Sequence, residues 1–356
     1  MLTTSWPTVE RPWAGHFVSD LAKGLASRGH RVSVCALAWE GEVLSPSPGV
    51  SVRAARLPVR PRHLPSSPEV WPLVLGALHR AAMEDTPGEV PELWVANWWP
   101  TAIAAPPHVP CLAVLHGSDV DLAERLPDAF VGGLTERLVG TIAVAPHLAE
   151  RFKVVTGIAS LGVVPLGAAL SVGGPVPKAF RQWARADGPR VLSVGRDVPG
   201  KGLDVARAAA ARLEGVAWAI VTPDNGVGPA GVRALLRHAD VLVVPSKDER
   251  KGPSEGRPHV LAQALVAGVV IVGGPNRAVR QAVRAAGQIE VIDDGPHALA
   301  AAVRYALGDA HAGLRQKARS VGHDYRWPVL LPEWERALAS GVVACDARAT
   351  GLDASR

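Results

Sequence analysis

Length, composition and charge set the first limits on this chain. Its 356 residues, 48% of them hydrophobic, are too many for one average core and predict two domains. No apolar run reaches the roughly eighteen residues of a membrane-spanning helix, and the first residues lack the pattern of a signal peptide. Three widely spaced cysteines, Cys35, Cys111 and Cys345, form neither a metal motif nor a disulfide framework. We therefore expect a cytoplasmic, reducing compartment.

The net charge of +5 is distributed unevenly along the chain. Residues 1–165 carry 13 Lys and Arg against 15 Asp and Glu, a net charge of −2, so the remaining residues carry +7. A basic second half suits a domain that binds a diphosphate, although a solvated basic surface without a ligand has the same composition. Because no long basic run is interleaved with aromatic residues, we do not expect nucleic acid as a partner.

The first half of the chain shows alternating strand and helix patterns. Residues 1–38 predict strand, loop, helix and strand, and apolar residues recur at helical spacing from His16 to Ser27. Gly15 precedes that helix, where its backbone can either approach a phosphate or acceptor or simply form a turn. Residues 46–72 are rich in Pro and Arg and predict a loop. A helix from Trp71 to Met83 follows.

A short polar segment follows the apolar strand Cys111–Leu115. It reads His116-Gly117-Ser118-Asp119. Open α/β sheets bind ligands outside the carboxyl ends of their strands, so His116 is well placed for chemistry. A structural histidine with satisfied hydrogen bonds is the alternative.

The second half begins with a pattern typical of phosphate binding. After a Gly-, Pro- and Ser-rich stretch at residues 169–189, which we predict to be a linker, the strand Val191–Gly195 leads into a Gly-rich loop. Arg196 and Lys201 lie five residues apart on this loop, ahead of a predicted helix, and can converge on one diphosphate. The alternative is a pair of solvent-exposed cations.

The most informative stretch runs from Ser254 to Gly268. Pro258 suits the first turn of a helix and Gly268 its end. Glu255 lies just ahead of this predicted helix, and Gln263 follows eight residues later. A helix N-terminus beside a strand end is a ready site for anions. An ordinary amphipathic helix that stops at a glycine is the alternative.

These segments resemble the GT-B glycosyltransferases, in particular the retaining glycosyltransferase family 4 (glycosyl transferases group 1). The nucleotide-sugar motif of that family has two Glu residues separated by seven positions, with Gly and Pro after the first Glu. The residues that match this motif here are Glu255, Gly256, Pro258, Ala264 and Gly268, whereas Gln263 replaces the second Glu. The loop at 195–202 resembles the Gly-Arg and Lys-Gly pairs of the family, and His116 resembles its His-Gly-x-Asp histidine.

The resemblance implies an α/β fold with two doubly wound Rossmann-like domains facing a cleft and a C-terminal helix that crosses back to the first domain. We expect the following segments: an N-terminal acceptor-side domain at 1–168, a linker at 169–189, a nucleotide-sugar-binding domain at 190–322, the returning helix at 323–340 and a disordered tail at 341–356.

The implied reaction moves a sugar from a nucleotide diphosphate sugar of UDP or GDP type to an acceptor hydroxyl, in glycan, polysaccharide or glycoconjugate synthesis. Retention and the absence of a metal or other cofactor are implied too. The resemblance gives the catalytic positions as His116 beside the sugar ring, Arg196 and Lys201 on the leaving diphosphate, and Glu255 on the donor hydroxyls. It gives the other donor-binding positions as Gly15, Gly256, Arg257, Pro258 and, on the ribose, Gln263.

Two alternatives stay open at this point. A catalytically impaired nucleotide-sugar-binding protein would explain Gln263 and Gln281, which stand where the family carries Glu. A nucleotide-sugar 2-epimerase has the same fold, so the fold alone does not decide between the reactions. The expected acceptor is a sugar, a lipid-linked molecule or a small molecule. The arginines between Arg53 and Arg62 also suggest a peripheral contact with anionic lipid at the inner face of a membrane.

Overall fold

Two compact α/β units make up the protein. The computed structural model describes residues 1–58, 68–84, 90–169, 174–248, 256 and 258–349. Unit 1 comprises Met1–Pro165 together with Leu331–Arg356, and unit 2 comprises Leu166–Leu330. Among the described residues, no helix is both long enough and apolar enough to cross a membrane.

Unit 1 is built on a seven-stranded sheet. Its strands are β1 (Leu2–Thr3), β2 (Val32–Trp39), β3 (Val50–Leu57), β4 (Trp94–Ala96), β5 (Cys111–Leu115), β6 (Leu138–Ala143) and β7 (Ser160–Val163). Their spatial order is β3-β2-β1-β4-β5-β6-β7, and all pairings are parallel. The chain therefore proceeds from β1 to one edge and returns to the other side of β1 with β4. Such a reversal is a topological switch point, where the carboxyl ends of the strands leave a crevice for ligands.

In the described part of unit 1, five α-helices connect these strands. They are α1 (His16–Ser27), α2 (Trp71–Met83), α3 (Ser118–Arg125), α4 (Asp128–Thr135) and α5 (Pro146–Thr156). Helix α1 forms where the sequence predicts it, because Val18, Leu21 and Leu25 recur on one face and are buried. The sequence analysis gave no prediction for α3 and α4, whose apolar periodicity is short.

Unit 2 repeats this architecture on a five-stranded sheet. Its strands are β8 (Arg190–Val194), β9 (Ala217–Val221), β10 (Val241–Val244), β11 (Val270–Gly273) and β12 (Ile289–Glu290). Its helices are α6 (Arg181–Ala184), α7 (Leu203–Ala210), α8 (Pro229–Leu236), α9 (His259–Ala267), α10 (Arg277–Ala285), α11 (Pro296–Leu307) and α12 (His311–Gly322). The strand order is β12-β11-β10-β8-β9, again parallel, with the switch point between β8 and β10.

The core of unit 2 lies on both faces of its sheet. Leu192, Leu242 and Ile271 face one buried layer, and Val191, Val241 and Val270 face the other. A strand that is covered on both faces needs apolar residues at every position, which is why these strands appear in the sequence as continuous apolar runs. The predicted α/β class with two doubly wound parallel sheets is confirmed.

The last helix, α13 (Trp327–Ala349), packs on unit 1 from Leu331 onward. Trp334 is fully buried, and its Nε1 donates to the Pro165 carbonyl at 3.1 Å. The expected tail at 341–356 is wrong over its first nine residues, since α13 continues to Ala349. The extension packs closely on the sheet at Gly341, where a Cβ would lie 2.6 Å from Leu112 Cδ1. Residues 350–356 lie outside the described residues.

The predicted loop at 46–72 contains a strand, β3. The strand was not predicted because Arg53 and Arg56 interrupt its alternating apolar pattern. Both arginines fit an edge strand, where charged side chains discourage pairing with another sheet. Arg53 donates to the Ala81 carbonyl at 3.4 Å, and Arg56 donates to the Glu42 carbonyl at 3.2 Å.

The expected linker at 169–189 is also different in the structure. Residues 174–189 belong to unit 2 and contribute to its core, with Phe180 and Ala184 buried. Trp183 anchors this segment by donating from Nε1 to the Ala217 carbonyl at 3.1 Å. A high content of Gly, Pro and Ser therefore marks irregular backbone here, but not a free connection between units.

Candidate functional site

A Gly-rich loop occupies the switch point of unit 2. It connects β8 to α7 and includes a 3-10 turn at Pro199–Lys201. Gly202 ends the turn with φ of 63°, and a Cβ at that position would overlap the carbonyl oxygen of Pro245, directly after β10. Lys247 N donates to the Gly200 carbonyl at 3.0 Å. The loop is thus held against the carboxyl end of β10 by close backbone contact.

Arg196 and Lys201 are both carried by this loop. Arg196 is exposed, and within the described part of the chain its guanidinium has neither an ion pair nor a hydrogen bond. Lys201 is half-buried and folds over Gly195, where a Cβ would lie 3.9 Å from the lysine side chain. The nearby Asp197 is engaged by Arg207 and therefore does not neutralise Arg196. The loop accordingly offers positive charge at the strand ends.

Lys247 is a third cation at this edge that the sequence analysis did not select. It follows β10 by three residues, and its Nζ lies 3.1 Å from Asp204 Oδ2 in the first turn of α7. This ion pair links the residues after β10 to α7. Its position after a strand next to the switch point is the signal that would have identified it.

Helix α9 begins close to where the sequence predicts it. Pro258 has φ of −57° and ψ of 121°, so it precedes the helix and does not occupy its first turn as expected. Gly268 ends α9 in the left-handed conformation, with φ of 69°, as predicted. Gly256 is buried. Glu255 and Arg257 lie outside the described residues, so their assigned roles stay predictions.

Gln263 lies in the second turn of α9 and is only 8% exposed. Within the described residues its side-chain amide makes no hydrogen bond. Gln263 therefore has free donor and acceptor capacity for a hydroxyl group.

In unit 1, Gly15 stands at the switch point between β1 and α1. It has φ of 58°, and a Cβ there would overlap the Ser5 carbonyl oxygen. Both features require a glycine at this position for backbone packing. The alternative interpretation, that Gly15 simply forms a turn, therefore has a physical basis. The predicted approach to a phosphate or acceptor stays a prediction.

The His116 segment is a tight turn organised by Asp119. The buried carboxylate accepts hydrogen bonds from the backbone nitrogens of Gly117 at 2.6 Å and of His116 and Val120 at 3.1 Å each. Burial raises the pKa of Asp119 to about 6, although these N–H donors act in the opposite direction. Asp119 is therefore a positioning residue that fixes the backbone carrying His116.

The His116 ring is held in an apolar setting. Its centroid lies 4.9 Å from that of Phe17, and both ring nitrogens are shielded from solvent without a hydrogen-bond partner among the described residues. Burial lowers the pKa of His116 to about 4, so the ring is neutral near pH 7. A neutral imidazole has one donor and one acceptor, and the described residues use neither of them.

An NMR titration tests this electrostatic setting. We expect the His116 imidazole to titrate near pH 4, because burial disfavours its charged form. This pKa is lower than the 6.5 of an unperturbed histidine, so the folded state binds the proton less readily than the unfolded state. The contribution of the neutral ring to the free energy of unfolding is therefore fully present above about pH 6.5 and is lost as the pH falls through 4. A His116→Gln variant assigns the resonance in histidine-labelled protein. A midpoint near 6.5 would contradict the burial.

The structure brings the predicted site residues together in two groups. Arg196, Lys201, Pro258 and Gln263 lie in unit 2, around the strand ends at its switch point, and Gly15 and His116 lie at the corresponding edge of unit 1. The described part of the chain contains no group of three His, Cys, Asp or Glu side chains arranged to hold a metal ion. The described side chains around these strand ends offer hydrogen bonding together with positive charge.

Comparisons with known proteins agree with this arrangement. Residues 14–172 match the family model of Glycosyltransferase Family 4, and residues 225–322 match that of Glycosyl transferases group 1. No curated protein matches the chain at a significant level.

Among solved structures, sucrose-phosphate synthase from Thermosynechococcus elongatus is 19% identical, with a TM-score of 0.67 over 94% of this chain and 93% of that one. The HepE protein of Anabaena, in complex with UDP and glucose, is 15% identical, with a TM-score of 0.67 over 95% and 99%. The trehalose-6-phosphate synthase OtsA is 13% identical, with a TM-score of 0.67 over 96% and 98%. At these identities the structural matches show the fold alone, whereas the two family models indicate glycosyltransferase activity. The chain is a glycosyltransferase of the GT-B class.

Proposed function

We propose that this protein transfers a sugar from a nucleotide diphosphate sugar to an acceptor hydroxyl, with retention and without a metal, in glycan, polysaccharide or glycoconjugate synthesis. The observation that carries the proposal is the loop at 195–202. It combines two cations with a backbone held on the end of β10 at a switch point. That edge of an open α/β sheet is where nucleotide ligands bind. HepE, one of the similar structures, is in complex with UDP and glucose, which supports a donor of the UDP type.

The proposed roles follow from charge and hydrogen-bond capacity. Arg196 and Lys201 stabilise the negative charge that develops on the leaving diphosphate. Gln263 binds the ribose hydroxyls through its free amide. Glu255 orients the donor sugar, and His116 contacts the sugar ring as a neutral donor or acceptor. Because departure of the diphosphate is assisted by side-chain cations, the proposed reaction needs no metal ion.

A thermal-shift panel of nucleotide diphosphates and their sugars tests the proposal. A ligand present at 100 times its dissociation constant stabilises the folded protein by roughly 2.7 kcal/mol, which is readily detected as a rise in melting temperature. Product analysis with the binding donor then separates the alternatives. Transfer or donor hydrolysis supports the transferase, an epimerised nucleotide sugar supports the epimerase, and binding without turnover supports the impaired protein.

The variant Gln263→Glu measures the effect of the departure from the family motif. We expect it to bind the nucleotide more tightly by about 1 kcal/mol, because a hydrogen bond to a charged group contributes about 1.5–3 kcal/mol and a neutral one about 0.5–1.5 kcal/mol. Calorimetry on both proteins measures the difference, with Gln182→Glu at an exposed position of α6 as the matched control. If only Gln263→Glu binds, the impaired-protein alternative is favoured. If neither binds, the donor-site assignment fails.

Peripheral contact with anionic lipid at the inner face of a membrane stays a separate hypothesis. Of its four arginines, Arg53 and Arg56 already donate to backbone carbonyls within unit 1, which reduces their availability to lipid. Arg60 and Arg62 lie outside the described residues. Liposome flotation with and without anionic lipid tests the contact. Equal recovery of the protein with both kinds of liposome would contradict the hypothesis.

A further inference from the structure

Helix α9 is hydrogen-bonded to the segment with which unit 2 begins. Unit 2 starts at Leu166, directly after Pro165 of unit 1. His259 is the first residue of α9, and its Nε2 lies 2.7 Å from the carbonyl oxygen of Gly167. The two residues are 92 positions apart in the chain. The N-terminus of α9 is therefore attached directly to residues 166–168, which we call the crossing segment.

The direction of this hydrogen bond is determined by its partner. A backbone carbonyl can only accept, so Nε2 of His259 carries the hydrogen and donates it. The bond therefore selects the Nε2–H tautomer of the neutral ring, and it is equally compatible with a protonated ring. His259 is half-buried and Gly167 is buried, so the bond joins the edge of α9 to a backbone position inside unit 2.

The crossing segment is in turn held by the last residues of unit 2. Ala168 N donates to the Tyr325 carbonyl at 2.7 Å. A Cβ on Gly167 would lie 2.5 Å from Cδ2 of Trp327, so the backbone there packs directly on the indole ring. Trp327 opens α13, and unit 2 ends three residues later at Leu330. The first and last segments of unit 2 are therefore joined to each other.

The other end of α9 is attached to the same region. A Cβ on Gly322 would overlap the carbonyl oxygen of Leu265, which places the end of α12 against the last turn of α9. The 3-10 turn His323–Tyr325 follows directly and also packs on α9. Because closely packed interiors transmit strain, a shift of α9 is expected to reach the crossing segment.

We propose that His259 is a positioning residue that couples donor binding at α9 to the stability of the crossing segment. The inference rests on the proposed function, which assigns Gln263 of this helix to the ribose. The hydrogen bond to Gly167 aligns the first turn of α9. A bound donor stabilises that turn and, through His259, the crossing segment. Because such coupling is reciprocal, a change that breaks the bond weakens donor binding by the same factor.

Hydrogen exchange at the Ala168 amide tests the coupling, since this N–H is the one that donates to Tyr325. We expect saturating UDP, or GDP if the panel selects it, to slow exchange of this amide in the wild-type protein. The expected change is about two- to tenfold, the range that corresponds to one neutral hydrogen bond. NMR on isotope-labelled protein measures it. Unchanged exchange at saturating nucleotide would overturn the inference.

Two variants that differ by one methylene group isolate the histidine. In His259→Gln the amide nitrogen is as many bonds from Cα as Nε2 of histidine, so it can still donate to Gly167. In His259→Asn the side chain is too short. We expect His259→Gln to keep the protection of Ala168, and His259→Asn to lose it and to bind the nucleotide about two- to tenfold more weakly. Protection that persists in His259→Asn, or that is lost in both variants, would contradict the role of His259.

His311→Leu is the matched control. His311 is also a half-buried histidine at the first position of a helix, α12, and its Nδ1 lies 3.0 Å from the Ala306 carbonyl oxygen. This contact is local and does not involve the crossing segment. We therefore expect wild-type nucleotide affinity and wild-type protection of Ala168. Losses as large as those of His259→Asn would show a general effect on unit 2 and refute a specific role of His259.

The wild-type measurements separate failure of this inference from failure of the proposed function. Wild-type protein that binds no nucleotide of the panel refutes the proposed function itself. Wild-type protein that binds a nucleotide while the exchange of the Ala168 amide stays the same refutes only the coupling through His259.

Discussion

Replacing Arg196 or Lys201 with alanine is expected to lower turnover by roughly 10²-fold or more in each case. Removing one preorganised group that stabilises charge developing in the transition state typically costs this much. The structure supports the expectation, because both cations stand on a loop packed against the end of β10 and Asp197 is occupied by Arg207. The charge of Arg196 is therefore available to a ligand.

Steady-state kinetics with the donor identified by the ligand panel measures the effect. The loss should appear in kcat more than in KM, since the charge on the diphosphate grows as its bond to the sugar breaks. Arg212→Ala is the matched control, because Arg212 is an exposed arginine just after α7. Near-normal turnover of both Arg196→Ala and Lys201→Ala would exclude the diphosphate role.

Replacing Gly202 with alanine is expected to destabilise unit 2 by about 2–4 kcal/mol. Two costs combine at this position. A non-glycine residue at φ of 63° carries about 1 kcal/mol or more of backbone strain. In addition, the new Cβ overlaps the carbonyl oxygen of Pro245, so the loop or the strand end must shift, which costs a further 1–3 kcal/mol.

Gly226→Ala separates these two costs. Gly226 has nearly the same backbone, with φ of 65°, but a Cβ there meets no atom within 4 Å. We therefore expect Gly226→Ala to be destabilised only by backbone strain. Urea unfolding of wild type and both variants compares the transition midpoints. Equal midpoints for the two variants would show that the close contact with Pro245 is not needed. A shifted loop would also displace Arg196 and Lys201, so Gly202→Ala should lose activity.

Several local features of this protein follow from the sequence itself. Helix α1 was predicted with its observed bounds because its apolar residues recur at helical spacing and Gly15 precedes it. The first strand of unit 2 and the glycine that ends α9 were predicted for equally local reasons, namely a continuous apolar run and a glycine at a helix end. The loop carrying Arg196 and Lys201 was selected from spacing and glycine content alone. Each of these signals lies within about fifteen residues of chain.

Other features depend on contacts between residues far apart in the chain. Strand β3 was missed because its arginines suit a sheet edge, and no local pattern shows which strand will be an edge. The described residues of the expected linker and tail belong to the two units, because Phe180 packs in the core of unit 2 and Gly341 contacts Leu112 in unit 1. Local composition carries no information about such partners.

The functional site also combines features that the sequence determined with features that only the tertiary structure decided. The sequence by itself determined that this is an α/β protein with a Gly-rich loop that carries two cations and with a histidine after a strand. Only the tertiary structure placed β4 between β1 and β5, so that the His116 segment follows the strand next to the switch point of unit 1. Only the structure shows that the His116 ring nitrogens are buried without a partner among the described residues. Strand order depends on how helices and strands pack together, and burial without a partner is a property of the packed chain.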